Sequence, residues 1–404
     1  MNTKLDNGKL TLALEGRIDS NNAAQFEKEL FAALDAAPDA APVLDAENLA
    51  YISSAGLRVL MKLRKRVNRP LPILNVSPEV WDILDVTGFS ELLEVHKKLR
   101  EISVEGCEKL GEGGNGAVYR LDEDKIVKVY KPWMEQEAID RERSFAKTAF
   151  VNGIPSVIAY DTVRVGDCLG VVFELLRSDT LGHAMRDNPE ELETYVDQYV
   201  ALAKVLHSTH VPAGSFTRIQ EVQHTRADNL GRWCSAEEIA LLHRIIDSIP
   251  EADTVTHNDL HPGNIMIQDG ELVLIDMPEV TMGPPICDLV SIYRDMVVAA
   301  KTQSAVMEQS AGMPAELIQK AGNLFFQKYT GITDDAELET YYKKLGLLNA
   351  FNVALVPGSG SERAMKMGDA IMNNLFRPIV VPNEQTIQNL LTVWSYQYQT
   401  DRRR

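Results

Sequence analysis

The 404-residue sequence predicts two folded units in series, an α/β sandwich at the start and a larger α+β unit after it. Three observations predict this. The length exceeds what one typical core accommodates. Strand-like and helix-like patterns alternate over the first hundred residues, and beyond them a glycine-rich hairpin is followed by long amphipathic stretches.

The bulk composition is that of a globular protein, with 45% apolar and 25% charged residues. A net charge of -17 argues against a nucleic-acid-binding surface, and the acidic excess lies beyond residue 100. It predicts solubility and leaves room for a cationic substrate. Cys107, Cys168, Cys234 and Cys287 are far apart and form no CxxC pair, so neither a disulfide framework nor a zinc site is expected. The opening MNTKLDNGKL lacks the apolar stretch of a signal peptide, and no run of apolar residues is long enough to cross a membrane. A cytoplasmic protein is expected.

In the first unit, Leu10, Leu12 and Leu14 alternate with Lys9, Thr11 and Ala13 as in a strand with one buried face. A helix over 22–34 and a PVLDA strand follow. In NLAYISSAGLRVLMKLRKRV, residues Leu57, Leu60, Met61 and Val67 mark one face of a helix whose other face is basic. The strand LPILNV then leads to a helix with Ser77 as N-cap, Pro78 in its first turn and Gly88 as its stop. Ser53 and Ser54 stand where the basic helix begins. A serine there can cap free N–H groups, and the same N–H groups and helix dipole would accommodate a phosphate.

This segment, through LDAENLAYISSAGLRVL and SPEVWDILDVTGFSELLEV, resembles a STAS domain of the anti-sigma-factor antagonist type over roughly residues 1–100. The resemblance implies a phosphorylatable serine two positions before the glycine, which is Ser54, and an anti-sigma factor or serine kinase as partner. Many members carry aspartate where this chain has Ser53, so both hydroxyls stand as candidates. The boundary with the second unit is expected near residue 102.

The second unit opens with LGEGGNGAVYRLDEDKIVKVYK, in which Gly111, Gly113, Gly116 and Val118 give G-x-G-x-x-G-x-V. Absent side chains there let backbone N–H groups lie over nucleotide phosphates, although any tight hairpin also favours glycine. Lys128 lies in the following strand, where its ammonium could reach those phosphates. The helical EQEAIDRERSFAKTAF offers Glu142, with Glu137 in reserve, to hold it.

HNDLHPGN at 257–264 fits H-x-D-L-x-x-x-N, the kinase catalytic loop, with Asp259 orienting the acceptor hydroxyl and taking its proton and Asn264 binding Mg²⁺. The following IMIQDGELVLID contains Asp269-Gly270, a strong hairpin signal, and folding there brings Asn264 and Asp276 nearly opposite each other. Asp276 takes the place of the aspartate in D-F-G, with Met277 and Pro278 following. His257 is read as a buried brace. A metal pair of His257 and His261 is disfavoured because Pro262-Gly263 prevents the helix it needs.

No A-P-E follows the short PEVTMGPPIC stretch, so a peptide-binding platform is missing. HNDLHPGN, LVLIDMPE and CDLVSIYRD together resemble the aminoglycoside phosphotransferase family over roughly residues 105–300. That resemblance implies a bilobal protein-kinase-like fold, with an N-lobe over 102–178 and a C-lobe over 179–404, using ATP and Mg²⁺ to phosphorylate a small hydroxylated molecule. It carries over Lys128, Glu142, Asp259, Asn264 and Asp276, makes Asp288 a brace for the catalytic loop, and makes FELL, with Glu174, the hinge whose backbone holds adenine. Asn258 stands where glycine is frequent. The other reading of the whole chain is a signalling adaptor whose kinase-like half only senses nucleotide.

Overall fold

The computed structural model describes residues 2–6, 8–69, 71–356 and 362–400. The chain divides into two compact units, Met1–Ser103 and Val104–Arg404, each with its own apolar core.

The first unit is the α/β sandwich that the sequence predicts. Strands β1 (Thr3–Asp6), β2 (Lys9–Ile18), β3 (Ala41–Ile52), β4 (Pro72–Val76) and β5 (Glu94–Lys97) lie side by side in chain order. The pair β1 and β2 is an antiparallel hairpin, and the remaining pairs are parallel. Parallel neighbours need crossovers. These run through α1 (Ala23–Ala36), α2 (Ser54–Val67) and α3 (Pro78–Val86). Leu10, Leu12 and Leu14 are all buried, as their alternation requires. The strand β3 is longer than the PVLDA segment, because NLAYI extends it and buries Leu49 and Ile52 before the helix begins. Gly56 explains how close α2 comes to the sheet: a Cβ there would lie 2.7 Å from both Ile18 Cγ2 and Ile52 Cγ1.

In the second unit, strands Lys109–Glu112, Gly116–Arg120, Lys125–Tyr130, Cys168–Glu174 and Ala159–Val165 are neighbours in that spatial order, and all pair antiparallel. The helix Gln136–Val151 buries Ile139, Phe145, Ala146 and Ala149 against this sheet. The rest of the unit is mainly helical, as its apolar stripe of Leu192, Tyr195, Val196, Tyr199 and Leu206 predicts: all but the half-buried Tyr195 are buried on the helix Leu192–Ser208.

Two small strand pairs interrupt these helices and hold the candidate catalytic segments. Val255–Thr256 pairs with Thr281–Met282, and Ile265–Gln268 pairs with Glu271–Leu274. Residues 257–264 and 275–280 are therefore two loops strung between the same pairs of strands. The hairpin turn is Asp269-Gly270, with φ of 53° and 86°, the left-handed pair that a two-residue turn requires.

Candidate active site

The glycine-rich hairpin closes with a hydrogen bond from Gly113 N–H to Gly116 O at 2.8 Å. Its glycines serve different needs. A Cβ on Gly116 would sit 2.1 Å from Val129 O, so the close approach of two strands demands glycine there. Cβ atoms on Gly111 or Gly113 would meet nothing within 4 Å, so the protein itself does not require their absence. Val118 pairs with Lys128 across the ladder, which puts both side chains on one face of the sheet.

Lys128 Nζ lies 2.7 Å from Glu142 Oε1 and 2.7 Å from Asp276 Oδ1. Glu142 is buried on the inner face of its helix, whereas Glu137 is exposed in the first turn, so the choice between the two falls to Glu142. Burial disfavours the Lys128 ammonium, but the Glu142 and Asp276 carboxylates outweigh it and hold its pKa above the ordinary lysine value.

Asp276 has φ 61°, a left-handed conformation seldom taken by residues other than glycine, asparagine and aspartate. Ile275, just before it, donates its N–H to Asn264 O at 3.0 Å. The hairpin thus pairs Asn264 with Ile275, and Asp276 lies one residue beyond the register that the sequence suggests.

Asn264 Nδ2 donates to Asp259 O and to Asp259 Oδ2, both at 2.9 Å, which leaves the Asn264 Oδ1 for a cation. The catalytic segment is fastened from below. Asp288, fully buried on the helix Ile286–Ile292, accepts from His257 N–H at 2.9 Å, Asn258 N–H at 2.5 Å and His207 Nε2–H at 3.0 Å. His257 is also fully buried, and its Nε2–H donates to Ile275 O at 3.2 Å, tying one loop to the other. Tyr199 OH donates to Leu260 O from the helix Leu192–Ser208.

Asn258 has φ 64°, which explains why glycine suits this position and why asparagine can replace it. Its Nδ2 adds bonds that glycine lacks, to Glu279 O at 2.8 Å and Thr281 Oγ1 at 2.9 Å. His261 shares no hydrogen-bond partner with His257: its Nδ1 accepts from Gly263 N–H at 3.1 Å, and its Nε2 meets Ser310 Oγ at 3.1 Å and lies 3.9 Å from Asp259 Oδ2.

Three residues around this site have no role that the sequence patterns assign, although Arg294 and Asp295 lie in the CDLVSIYRD stretch. His207 links Asp288 to the hydroxyl of Tyr329, which meets its Nδ1 at 2.8 Å, yet it occupies an apolar stripe where the helix pattern hides it. Arg294 and buried Asp295 form a forked ion pair, with both contacts at 2.8 Å, and Arg294 Nη2 is 3.6 Å from Asp259 Oδ1.

Glu174 is placed differently from a side-chain ligand. Its carboxylate accepts from Ile158 N–H at 2.7 Å and its own N–H donates to Ile158 O at 3.0 Å, so both are committed within the sheet.

In the first unit, Ser53 caps α2, its Oγ accepting from Ala55 N–H at 3.2 Å, while Ser54 is exposed as the first helical residue. The Ser53 hydroxyl is thus engaged, and that of Ser54 faces outward.

A two-lobed arrangement in which a strand lysine is gripped by a helix glutamate and by an aspartate beyond a hairpin defines the kinase-like class of phosphotransferases. Residues 106–315 match the phosphotransferase enzyme family, and the chain belongs to it. Residues 1–102 match the STAS domain, so the chain is a STAS domain fused to a phosphotransferase domain. A candidate anti-sigma factor antagonist, BtrV of Bordetella bronchiseptica, is 37% identical over 95 residues, covering 23% of this chain and 80% of that protein. Among solved structures, the ternary complex of APH(2")-IIa with streptomycin and ATP is 15% identical, covering 68% of this chain and 93% of the other, with a TM-score of 0.45. A choline/ethanolamine kinase family protein from Mesorhizobium loti is 11% identical, covering 71% and 92%, with a TM-score of 0.44. No helix among the described residues is long and apolar enough to cross a membrane.

Proposed function

We propose that residues 104–404 transfer the γ-phosphoryl group of ATP, with Mg²⁺, to a hydroxyl on a small acceptor. The observation that carries this reading is the Lys128 ammonium held at 2.7 Å by both Glu142 and Asp276. It is a fixed cation beside the open face of the glycine hairpin, at the point where phosphate charge would have to be met. The open space around Gly111 and Gly113 suits phosphate oxygens. The carboxylate of Asp276 and the amide oxygen of Asn264 are hard oxygen donors that suit Mg²⁺, which would neutralise charge on the phosphates.

Asp259 does the work on the acceptor. Its position is fixed by Asn264, and its other oxygen remains to accept the hydroxyl proton. The acceptor oxygen forms its bond to the γ-phosphorus as the bond to the bridging oxygen of ADP breaks. Asp288 keeps Asp259 in place by holding the two preceding N–H groups. The hinge after Glu174 would hold adenine through backbone groups.

For the first unit, we propose a phosphoserine switch at Ser54, read by an anti-sigma factor or serine kinase. Its support is the exposed hydroxyl at the N-terminus of α2, where a phosphate finds free N–H groups without displacing the Ser53 cap.

The test is titration of purified protein with ATP and ADP in Mg²⁺, followed by ADP release with hydroxylated acceptors. Nucleotide binding with turnover is expected, and Asp259→Asn should cut kcat by about 10³-fold while ADP affinity stays unchanged. A protein that ignores nucleotide, or a variant that still turns over within tenfold of the parent, removes the enzyme reading.

A further inference from the structure

The second unit holds a group of titratable side chains that the proposed phosphoryl transfer does not use. It joins the helix Ile219–Asp228 to the helix Ala236–Ile246. His224 and Asp228 stand four residues apart on the first helix, and His243 and Asp247 repeat that spacing at the end of the second. The pairs are exchanged between the helices: His224 Nε2 lies 3.1 Å from Asp247 Oδ1, and His243 Nε2 lies 3.0 Å from Asp228 Oδ1.

In the middle the two Nδ1 atoms meet at 2.6 Å. The ring centroids are 4.8 Å apart, so these nitrogens lie between the rings and point at each other. The chain Asp247–His224–His243–Asp228 thus has carboxylate acceptors at both ends, while a neutral imidazole has only one N–H to give. When each ring donates its Nε2–H outward, two lone pairs are left face to face. An electrophile belongs between them, either a proton or a metal ion.

The surroundings suit a metal ion. A carboxylate behind each imidazole, gripping the ring N–H and turning the other nitrogen inward, is how metal-binding histidines are oriented. The rings are 33% and 29% exposed and the two aspartates 69% and 67%, so both rings can turn until their nitrogens stand about 3.3 Å apart, the separation that two bonds of about 2.0 Å at a tetrahedral angle require. The arginines on these helices are engaged elsewhere and leave the gap free of cationic competition: Arg226 with Glu279 and Arg244 with Glu384, both at 2.7 Å.

We propose that His224 and His243 form a binding site for a transition-metal ion of the zinc type, held between their Nδ1 atoms, with solvent completing its coordination. The ion clamps the two helices together, and any proton shared by the rings leaves to solvent as it enters. Imidazole nitrogens suit zinc, nickel and copper, whereas Mg²⁺ prefers oxygen. The site is therefore chemically distinct from the oxygen donors Asn264 and Asp276.

The experiment is calorimetric titration of the tag-free full chain with ZnCl₂ in a buffer that contains Mg²⁺. One zinc ion per chain should bind with a Kd of about 10 µM or tighter. It should also raise the unfolding temperature, and a chelator should reverse the rise. His224→Phe and His243→Phe should each weaken binding by about 30-fold or more, and Asp228→Ala, which keeps both rings and removes one carboxylate behind them, by about tenfold. X-ray absorption of the zinc-loaded parent should show two imidazole nitrogens at about 2.0 Å, a measurement that depends on no variant. Zinc binding by the parent weaker than about 1 mM, a zinc shell without imidazole, or equal affinity in the parent and both histidine variants overturns the proposal and leaves the rings bridged by a proton.

Discussion

The two units bury different kinds of side chain. The core of the first is apolar throughout, built on Leu12, Leu30, Leu44, Leu60, Leu63, Ile73 and Leu84. Among the described residues, every buried polar or charged side chain lies in the second unit, including Glu142, His207, His257, His261, Asn264, Asp288 and Asp295. Burying such groups costs free energy unless each finds partners, and a fold that carries so many is constrained by something besides stability. The lesson is that the second unit keeps its polar side chains inside, where the proposed phosphoryl transfer would need them, whereas the first displays its polar groups on its surface.

The sharpest way to break this contrast is to remove one buried acid. Asp288→Ala leaves the N–H groups of His257 and Asn258 and the ring of His207 without their shared acceptor, and should cost about 3–5 kcal/mol. Hydrogen exchange reads this locally: amides of 255–265 should lose protection while those of β3 keep theirs. Equal loss in both units would mean that the cores are not independent.

A smaller effect separates two glycines of one hairpin. Gly116→Ala drives a methyl into Val129 O and should cost about 2 kcal/mol or more, whereas Gly113→Ala should change stability by less than about 0.5 kcal/mol and instead weaken ADP binding. Thermal unfolding with and without ADP distinguishes them, and matching losses of stability would contradict the division of roles.

Thiol chemistry gives a third test. Burial pushes the Cys287 thiol up to about 12 and the Cys234 thiol up to about 11, so both stay protonated at pH 8 and lack the reactive thiolate. Cys107 and Cys168, partly exposed, should be alkylated in the native protein, and the buried pair only after unfolding. Native labelling of Cys287 at a comparable rate would show that the second core opens readily.

The smallest effects belong to the first unit. Ser53→Ala removes a helix cap and should cost about 1 kcal/mol, and Ser54→Ala should stay within about 0.5 kcal/mol. If denaturant midpoints show the reverse, Ser54 is structural and the surface reading of this unit is lost.

Much of this was legible in the sequence, for a physical reason. The hairpin at Asp269-Gly270 and the spacing of Asp259 and Asn264 are local patterns, and local patterns survive without tertiary context. The start of α2 was harder, because NLAYI is apolar enough to read either way, and its pairing with β2 decides for strand. His207 escaped because its partners Asp288 and Tyr329 lie 81 and 122 residues away in sequence, and a polar residue on an apolar helix looks like an exception until its partner is seen; Arg294 and Asp295 are sequence neighbours, and only the fold brings Arg294 beside Asp259. Asn258 shows the intermediate case: the departure from glycine was visible, but only the backbone angle and the bonds to Glu279 and Thr281 explain it.

The wide turn at Tyr293–Ala299 carries one more implication. A π-helical stretch behaves as an α-helix into which a residue has been inserted, so everything beyond it is out of phase with the helix before it. Reading residues 286–302 as one uninterrupted α-helix would assign the wrong faces beyond the stretch, and deleting a single residue within it would turn the following Ala300–Thr302 by roughly the 100° that separates α-helical neighbours.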